Sequence, residues 1–151
     1  MAKIIRIVVH CTGEPADAHR SREYYRRWFF DFLGWKHYGY HVVIYQGGDY
    51  SVLQPLPTVR PDGGYIDYNT MANGAKGYNT DSLHIAYVGG LSLNGNRPDD
   101  TRTIYQRETL RKLITQLKKD YNITEVVGHN QLPGVTKACP CFDARKEYEN
   151  V

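Results

Sequence analysis

The run Ile4-Ile5-Arg6-Ile7-Val8-Val9-His10 limits the architecture more than any other stretch of the chain. It is short, and nearly every side chain in it is β-branched, which restricts χ1 and favours the pleated conformation, so it reads as a buried strand. His10 then stands at its C-terminal end, with Cys11-Thr12-Gly13 following.

The segments that follow alternate in the way such a strand requires. Ser21 is a suitable N-cap for a helix running to about Leu33, with Trp28, Phe29, Phe32 and Leu33 as its apolar face and Gly34 as its stop. Tyr40 to Tyr45 and Tyr50 to Leu53 flank Gly47-Gly48-Asp49 and predict a hairpin. A long loop with Pro55, Pro57, Pro61 and Gly63-Gly64 comes next, and loops of that length are commonly functional or disordered. A strand is expected from Leu83 to Val88, closed by Gly89-Gly90. Thr103 and Gln106 form a capping box ahead of a helix whose stripe is Leu110, Leu113, Ile114, Leu117 and Tyr121, a core-packing pattern. Ile123 to Val127 reads as a further strand, and a short helix is expected around Phe142 to Glu149. This order predicts an α/β fold: a single domain over residues 1–151, with a mixed central β-sheet flanked by helices.

At 151 residues the chain is long enough to bury a core without staples. Its net charge of +3 is too small to argue for nucleic acid but suits an anionic polymer as partner. The N-terminus lacks a long apolar region with a cleavage site, and no run approaches a membrane span. Cytoplasmic synthesis without membrane insertion is therefore the expectation. The cysteines number three, an odd count, and Cys139 and Cys141 are two apart, which points to thiols rather than bridges.

Chemistry concentrates near the C-terminus, where Gly128 to Asp143 holds a histidine, a lysine and two cysteines in a Pro/Gly-punctuated loop after a strand. Metal-binding side chains at a strand-to-loop transition suit an open catalytic zinc site. His10, His129 and Cys139 would offer zinc two imidazoles and a thiolate, leaving a fourth position for water. Cys11 points away from His10 by strand alternation and reads as a small buried hydrophobe, and Cys141 reads as a buried structural thiol in a tight Pro-containing turn, with an alternative place in or beside the ligand set. His41 faces away from Tyr40 if both lie on one strand, and reads as packed. Tyr38, Tyr65, Tyr68 and Tyr78 are candidates to line a sugar-binding groove, because aromatic faces stack on pyranose rings.

Seven blocks carry a resemblance: Val9-His10-Cys11-Thr12, Gly39-Tyr40-His41, Ala75-Lys76-Gly77-Tyr78-Asn79, Tyr87-Val88-Gly89-Gly90, Asp100-Thr101-Arg102-Thr103, Gly128-His129 and Lys137-Ala138-Cys139-Pro140-Cys141-Phe142-Asp143. Together and in this order they resemble the zinc N-acetylmuramoyl-L-alanine amidases of the type-2 family, which includes small phage amidases and animal peptidoglycan recognition proteins. The resemblance implies that fold, one Zn2+ per chain on His10, His129 and Cys139, and active-site roles for Tyr40 and Lys137. It also implies a substrate, the amide between the lactyl group of N-acetylmuramic acid and L-alanine in peptidoglycan or a muropeptide. A monomer that meets the cell wall after release or export is expected, as in a phage or prophage lysis enzyme. The alternative is a peptidoglycan-binding module without catalysis. Binding-only relatives typically lack the cysteine ligand, which Cys139 supplies here. The chain departs from many phage-type relatives at Gly74, where they carry histidine, and at His84, where others carry glycine. Both positions are expected on groove-lining loops, as is the expanded segment from Pro55 to Asn69.

Overall fold

The computed structural model describes residues 1–151 and begins with a two-residue strand, β1 (Ala2–Lys3), followed by the expected buried strand, β2 (Arg6–Cys11). Strands β3 (Glu14–Pro15), β4 (Val42–Ile44), β5 (Tyr50–Val52), β6 (Tyr65–Ile66), β7 (Ser82–Tyr87), β8 (Gly90–Leu91) and β9 (Glu125–Gly128) come after it. The helices are α1 (Arg22–Arg26), α2 (Ile104–Tyr121) and α3 (Ala144–Glu147). Five strands form a mixed sheet in the order β5-β4-β7-β2-β9, in which only the β4–β5 hairpin is antiparallel. Central β2 and β7 are buried along almost their whole length, as expected of parallel strands with both faces covered. No helix is long and apolar enough to cross a membrane.

The period of two along β2 divides the molecule. Ile7, Val9 and Cys11 join the main core with Val42, Ile44, Leu83, Ile85 and the inner face of α2, formed by Leu110, Ile114, Leu117 and Tyr121. Val8 joins a smaller cluster on the other side with Ala75, Val127 and Leu132. His10 therefore emerges on the face opposite α2. The capping box is present, with the Gln106 backbone N–H donating to the Thr103 hydroxyl at 3.0 Å. The buried Gln106 amide also donates to the carbonyls of Ile44 (3.2 Å) and Val88 (3.0 Å), which fastens the helix start to the ends of two strands.

The first helix differs from its expectation. Ser21 caps it, but after Arg26 the chain widens into a π-helical turn, Arg27–Phe32, with the Leu33 N–H reaching the Trp28 carbonyl at 2.9 Å. An i→i+5 turn holds more residues than the 3.6 assumed, so side chains beyond it rotate out of the expected stripe. Of the four residues expected inside, only Phe29 is buried, and it is joined by Tyr25. Trp28 and Phe32 stack on one another outside, ring centroids 4.7 Å apart.

The Pro-rich loop is also more structured than its sequence suggests. Its residues Tyr65–Ile66 pair antiparallel with Ala2–Lys3, and the Ile4 N–H donates to Gly64 at 2.9 Å. Gly63, at φ +109, lies against the Tyr121 carbonyl, where an added Cβ would come within 2.5 Å of the oxygen. The Tyr121 hydroxyl donates to the Pro57 carbonyl and pins the same loop. Two-residue strands have no readable periodicity, which is why neither this ribbon nor the β3–β8 pair was expected.

Arg102 ties the last helix down. Its side chain is 1% exposed and donates from Nε to Asp100 at 2.9 Å and from Nη1 to Glu147 at 2.6 Å, with the guanidinium carbon 3.3 Å from the centre of the Phe142 ring. A planar fork serves two carboxylates and a ring face at once, which an ammonium cannot copy. Arg102→Ala should lower unfolding free energy by about 3 kcal/mol, because it removes a buried guanidinium that joins Asp100, Glu147 and the Phe142 ring and leaves Glu147 without its cation. Arg102→Lys should recover less than half of that in urea denaturation.

His41 extends the β4–β7 ladder with its side chain. Its backbone N–H donates to the His84 carbonyl at 2.9 Å, while its Nδ1 accepts the His84 N–H at 3.0 Å and its Nε2 donates to Thr70 O at 2.6 Å. Burial lowers its pKa to about 4. The folded state thus holds His41 neutral while the unfolded chain protonates near 6.5, so stability is complete above that pH and declines as pH falls toward 4. Metal-free protein should lose roughly 2 kcal/mol from this group between pH 7.5 and pH 5. His41→Asn, which keeps an acceptor for the His84 amide, should flatten the decline measured by urea unfolding; an unchanged slope would exclude His41 as its source.

Candidate active site

The register of the sheet brings two histidines together. Val9 pairs with Gly128 across the parallel β2–β9 ladder, so the next residues, His10 and His129, leave neighbouring strands side by side with ring centroids 4.7 Å apart. His10 is the penultimate residue of β2 rather than its last, and His129 opens a 3₁₀ turn, His129–Gln131. Both are buried.

Cys139 reaches them through a loop that doubles back. The Asn130 N–H donates to the Cys139 carbonyl at 2.7 Å, and the buried Tyr87 hydroxyl donates to the Pro140 carbonyl at 2.7 Å. The Cys11 N–H donates to Cys139 Sγ at 3.2 Å, and that sulfur lies 3.8 Å from His10 Nδ1. One donor atom from each of His10, His129 and Cys139 falls within 4.8 Å of the others, a group that could hold a metal ion. The donor set suits zinc. Burial, with help from His129 and Lys137, holds the His10 pKa well below its usual range, and burial followed by Lys137 lowers His129. Both imidazoles are therefore neutral near pH 7, the form that donates a lone pair.

The other cysteines stay out of that group. Cys11 is buried in the main core, its thiol pKa raised by the neighbouring Cys139 sulfur and by burial. Cys141 takes a left-handed conformation, φ +72, and donates toward the Gly90 carbonyl at 3.5 Å, with burial pushing its thiol up to about 12. At neutral pH neither is a thiolate.

Tyr40 lies just outside β4, its ring centroid 5.4 Å from that of His10 and its hydroxyl 3.4 Å from the Cys11 carbonyl. Burial, then proximity to Cys139, raises its pKa well above the usual value, so the hydroxyl keeps its proton. Lys137 is exposed, two residues before Cys139, and lines with Tyr40, His10, His129 and Cys139 a cavity of about 310 Å³. All five residues singled out in the sequence thus face one space.

The expected tyrosine groove does not. Tyr38 packs against Phe29 and Phe30, Tyr65 bonds Asp62, Tyr68 lies on His37, and the Tyr78 hydroxyl donates to the Pro133 carbonyl. The aromatic walls of the site are Phe29 and Trp35, and an adjoining cleft of about 350 Å³ shares them and adds Tyr24, Tyr25 and Trp28. The unusual aromatic density from Tyr24 to Trp35 was the available signal, but a 3.6-residue stripe assigned it to the core. The two departures are also not both on loops. Gly74 lines the cavity, whereas His84 lies within β7, fully buried, its Nδ1 2.8 Å from His10 Nε2.

Comparison with known proteins supplies the family. The chain is 29% identical over 144 residues to the endolysin of Klebsiella phage KP32, covering 95% of this chain and 85% of the relative. It is 28% identical over 143 residues to the endolysin of Escherichia phage T7, covering 95% and 84%. Among solved structures, the Ph2119 endolysin of a Thermus scotoductus bacteriophage matches with a TM-score of 0.66 and 27% identity over 93% of this chain and 79% of that one. The amidase LysC from Clostridium intestinale shares the fold, with a TM-score of 0.69 and 22% identity over 97% and 82%. A family model described as N-acetylmuramoyl-L-alanine amidase matches residues 1–142, and by that match the chain belongs to the N-acetylmuramoyl-L-alanine amidase family of enzymes.

Proposed function

We propose that the chain is a zinc-dependent endolysin-type amidase that hydrolyses the bond between N-acetylmuramic acid and the L-alanine of the peptidoglycan stem peptide. The observation that carries this reading is the convergence of His10, His129 and Cys139 donor atoms within 4.8 Å, in a cavity shared with Tyr40 and Lys137. Its relatives named as phage endolysins support a role in host lysis, on peptidoglycan or a muropeptide. We read it as a monomer carrying one Zn2+.

Zinc held by the two imidazoles and the thiolate would supply Lewis acidity to the amide carbonyl and acidify water at the open position. The chain's own residues do the rest. Lys137 brings a positive charge to the exposed side of the cavity, where negative charge grows on the former carbonyl oxygen. Tyr40, kept protonated by burial, presents a hydroxyl that can orient water or pass a proton to the departing amine. Phe29 and Trp35 wall the cavity with apolar faces that exclude water and offer stacking surface to a sugar.

Cys139→Ser should reduce bound zinc from about one per chain to near zero by mass spectrometry, and abolish release of stem peptides with a free N-terminal alanine from labelled peptidoglycan. If the wild-type protein holds zinc and binds wall fragments without releasing peptides, it acts as a binding module instead.

Tyr40→Phe and Lys137→Met should keep the metal and lose rate. Removing one donor or positive charge from the developing oxyanion costs roughly 10²–10³ in kcat, and removing a proton-transfer group roughly 10²–10⁴. Steady-state kinetics on a soluble muropeptide, with zinc content measured in parallel, separates these losses from loss of the site; a Lys137→Met rate within twofold of wild type would remove Lys137 from the mechanism.

A further inference from the structure

His84 is a buried imidazole with an incomplete set of partners. Its ring is tilted 48° to that of His10 with centroids 5.0 Å apart, and its Nδ1 is 2.8 Å from His10 Nε2. Its other nitrogen, Nε2, is buried with no hydrogen-bond partner in the protein. A polar side chain chosen for stability alone would be satisfied on both sides or replaced by an apolar one, since a buried unpaired nitrogen costs stability. The one hydrogen bond that the His84 ring makes is aimed at the nitrogen of His10 that faces away from Cys139.

The surroundings have been shaped to admit this ring. Gly74 lines the metal-side cavity, and a Cβ built on it would come 2.3 Å from His84 Nδ1, 2.5 Å from Cγ and 2.7 Å from Cε1. Any side chain at position 74 would thus enter the volume that the imidazole fills. Gly74 and His84 are two halves of one arrangement, with the loop giving up a side chain where the strand supplies a ring.

We infer that His84 is a positioning residue for the metal ligand His10, accepting a hydrogen bond from His10 Nε2–H so that His10 Nδ1 is the nitrogen left free toward Cys139 and the metal. An imidazole carries one proton when neutral. Placing it on Nε2 by giving it an acceptor there leaves the lone pair on Nδ1, and the same bond fixes the rotation of the ring. Ligand histidines commonly hand their second N–H to a carboxylate, a carbonyl or water. Here a second imidazole takes that place, held in turn by its strand: its backbone N–H is bound to His41 Nδ1 at 3.0 Å, and the His41 and His84 rings lie parallel with centroids 6.1 Å apart.

The inference rests on His10 being a ligand, and the test separates the two. The dissociation constant of Zn2+ is measured by competition with a chromogenic chelator, and unfolding of the metal-free protein in urea is followed alongside, for wild type, His84→Leu, His84→Asn and the reciprocal pair Gly74→His with His84→Gly. His84→Leu should weaken Zn2+ binding by about 10–100-fold while the metal-free protein stays folded with stability near that of wild type, because the unpaired His84 Nε2 is removed as His10 Nε2 loses its partner. His84→Asn, whose side-chain oxygen falls near the position of Nδ1, should stay within a few-fold of wild type in affinity. The reciprocal pair, which returns an imidazole to the same space from the loop, should bind more tightly than His84→Gly alone. Should His84→Leu bind Zn2+ as tightly as wild type, or His84→Asn prove as weak as His84→Leu, the hydrogen bond does not position the ligand. If the metal-free His84→Leu protein is unfolded, the comparison of His84→Asn and the reciprocal pair with His84→Gly decides, and equal affinities among them overturn the inference. Wild-type protein that binds no Zn2+ at all would instead overturn the assignment of His10.

Discussion

The parallel pairing of β2 with β7 on one side and β9 on the other is the constraint on which the rest of the molecule depends. It holds His10 near the end of β2, His84 within β7 opposite Val8 and His129 just beyond β9 in a fixed register, with His10 opposite Ala86 and one residue beyond the Val9–Gly128 pair. A slip of one residue in β2 would turn His10 toward α2 and bring Val9 or Cys11 into the cavity. The apolar content of β2 guards against that slip, because Ile7, Val9 and Cys11 fill the main core and cannot be exchanged for His10 without burying an imidazole beneath the helix.

Histidine is used here in ways that its sequence position does not distinguish. Five of the six are buried: His10, His37, His41, His84 and His129. His41 completes a backbone ladder, His84 faces a candidate ligand, and His10 and His129 face the cavity. Each is kept neutral by burial where a pKa shift is resolved, so the interior of this enzyme is assembled from uncharged imidazoles at the cost of sensitivity to acid. The cysteines divide similarly. Cys139 is turned to the cavity by a loop bonded to Asn130 and Tyr87, while Cys11 and Cys141 pack beside the core as protonated thiols.

The blocks that marked the family in the sequence have separate physical duties. The Lys137 to Asp143 block carries a cavity lysine, a candidate ligand, a left-handed turn at Cys141 and the Asp143 cap of α3. The Asp100 to Thr103 block carries the buried guanidinium that holds α3 and Phe142 against the core, then the cap of α2. Arg102, Cys141 and Asp143 thus hold the segments around Cys139 without lining the cavity themselves.

The family resemblance singled out Tyr40 and Lys137, while the sequence by itself determined the α/β class, the long amphipathic helix, the hairpin and three candidate ligands, His10, His129 and Cys139. Those features depend on local chemistry: β-branched runs, a 3.6-residue stripe, a capping box, a Gly-Gly-Asp turn and metal-binding side chains after strands. Only the tertiary structure decided the rest. A π-helical turn moved Trp28 and Phe32 outward and left Phe29 and Trp35 to wall the site, because helix period is set by packing and not by composition. Two-residue strands organised the Pro-rich segment through partners more than sixty residues away, which no window of sequence contains. The meaning of Gly74 and His84 lay in their contact: ten residues apart on a loop and a strand, they share one volume, and only the folded backbone shows that the absence of one side chain makes room for the other.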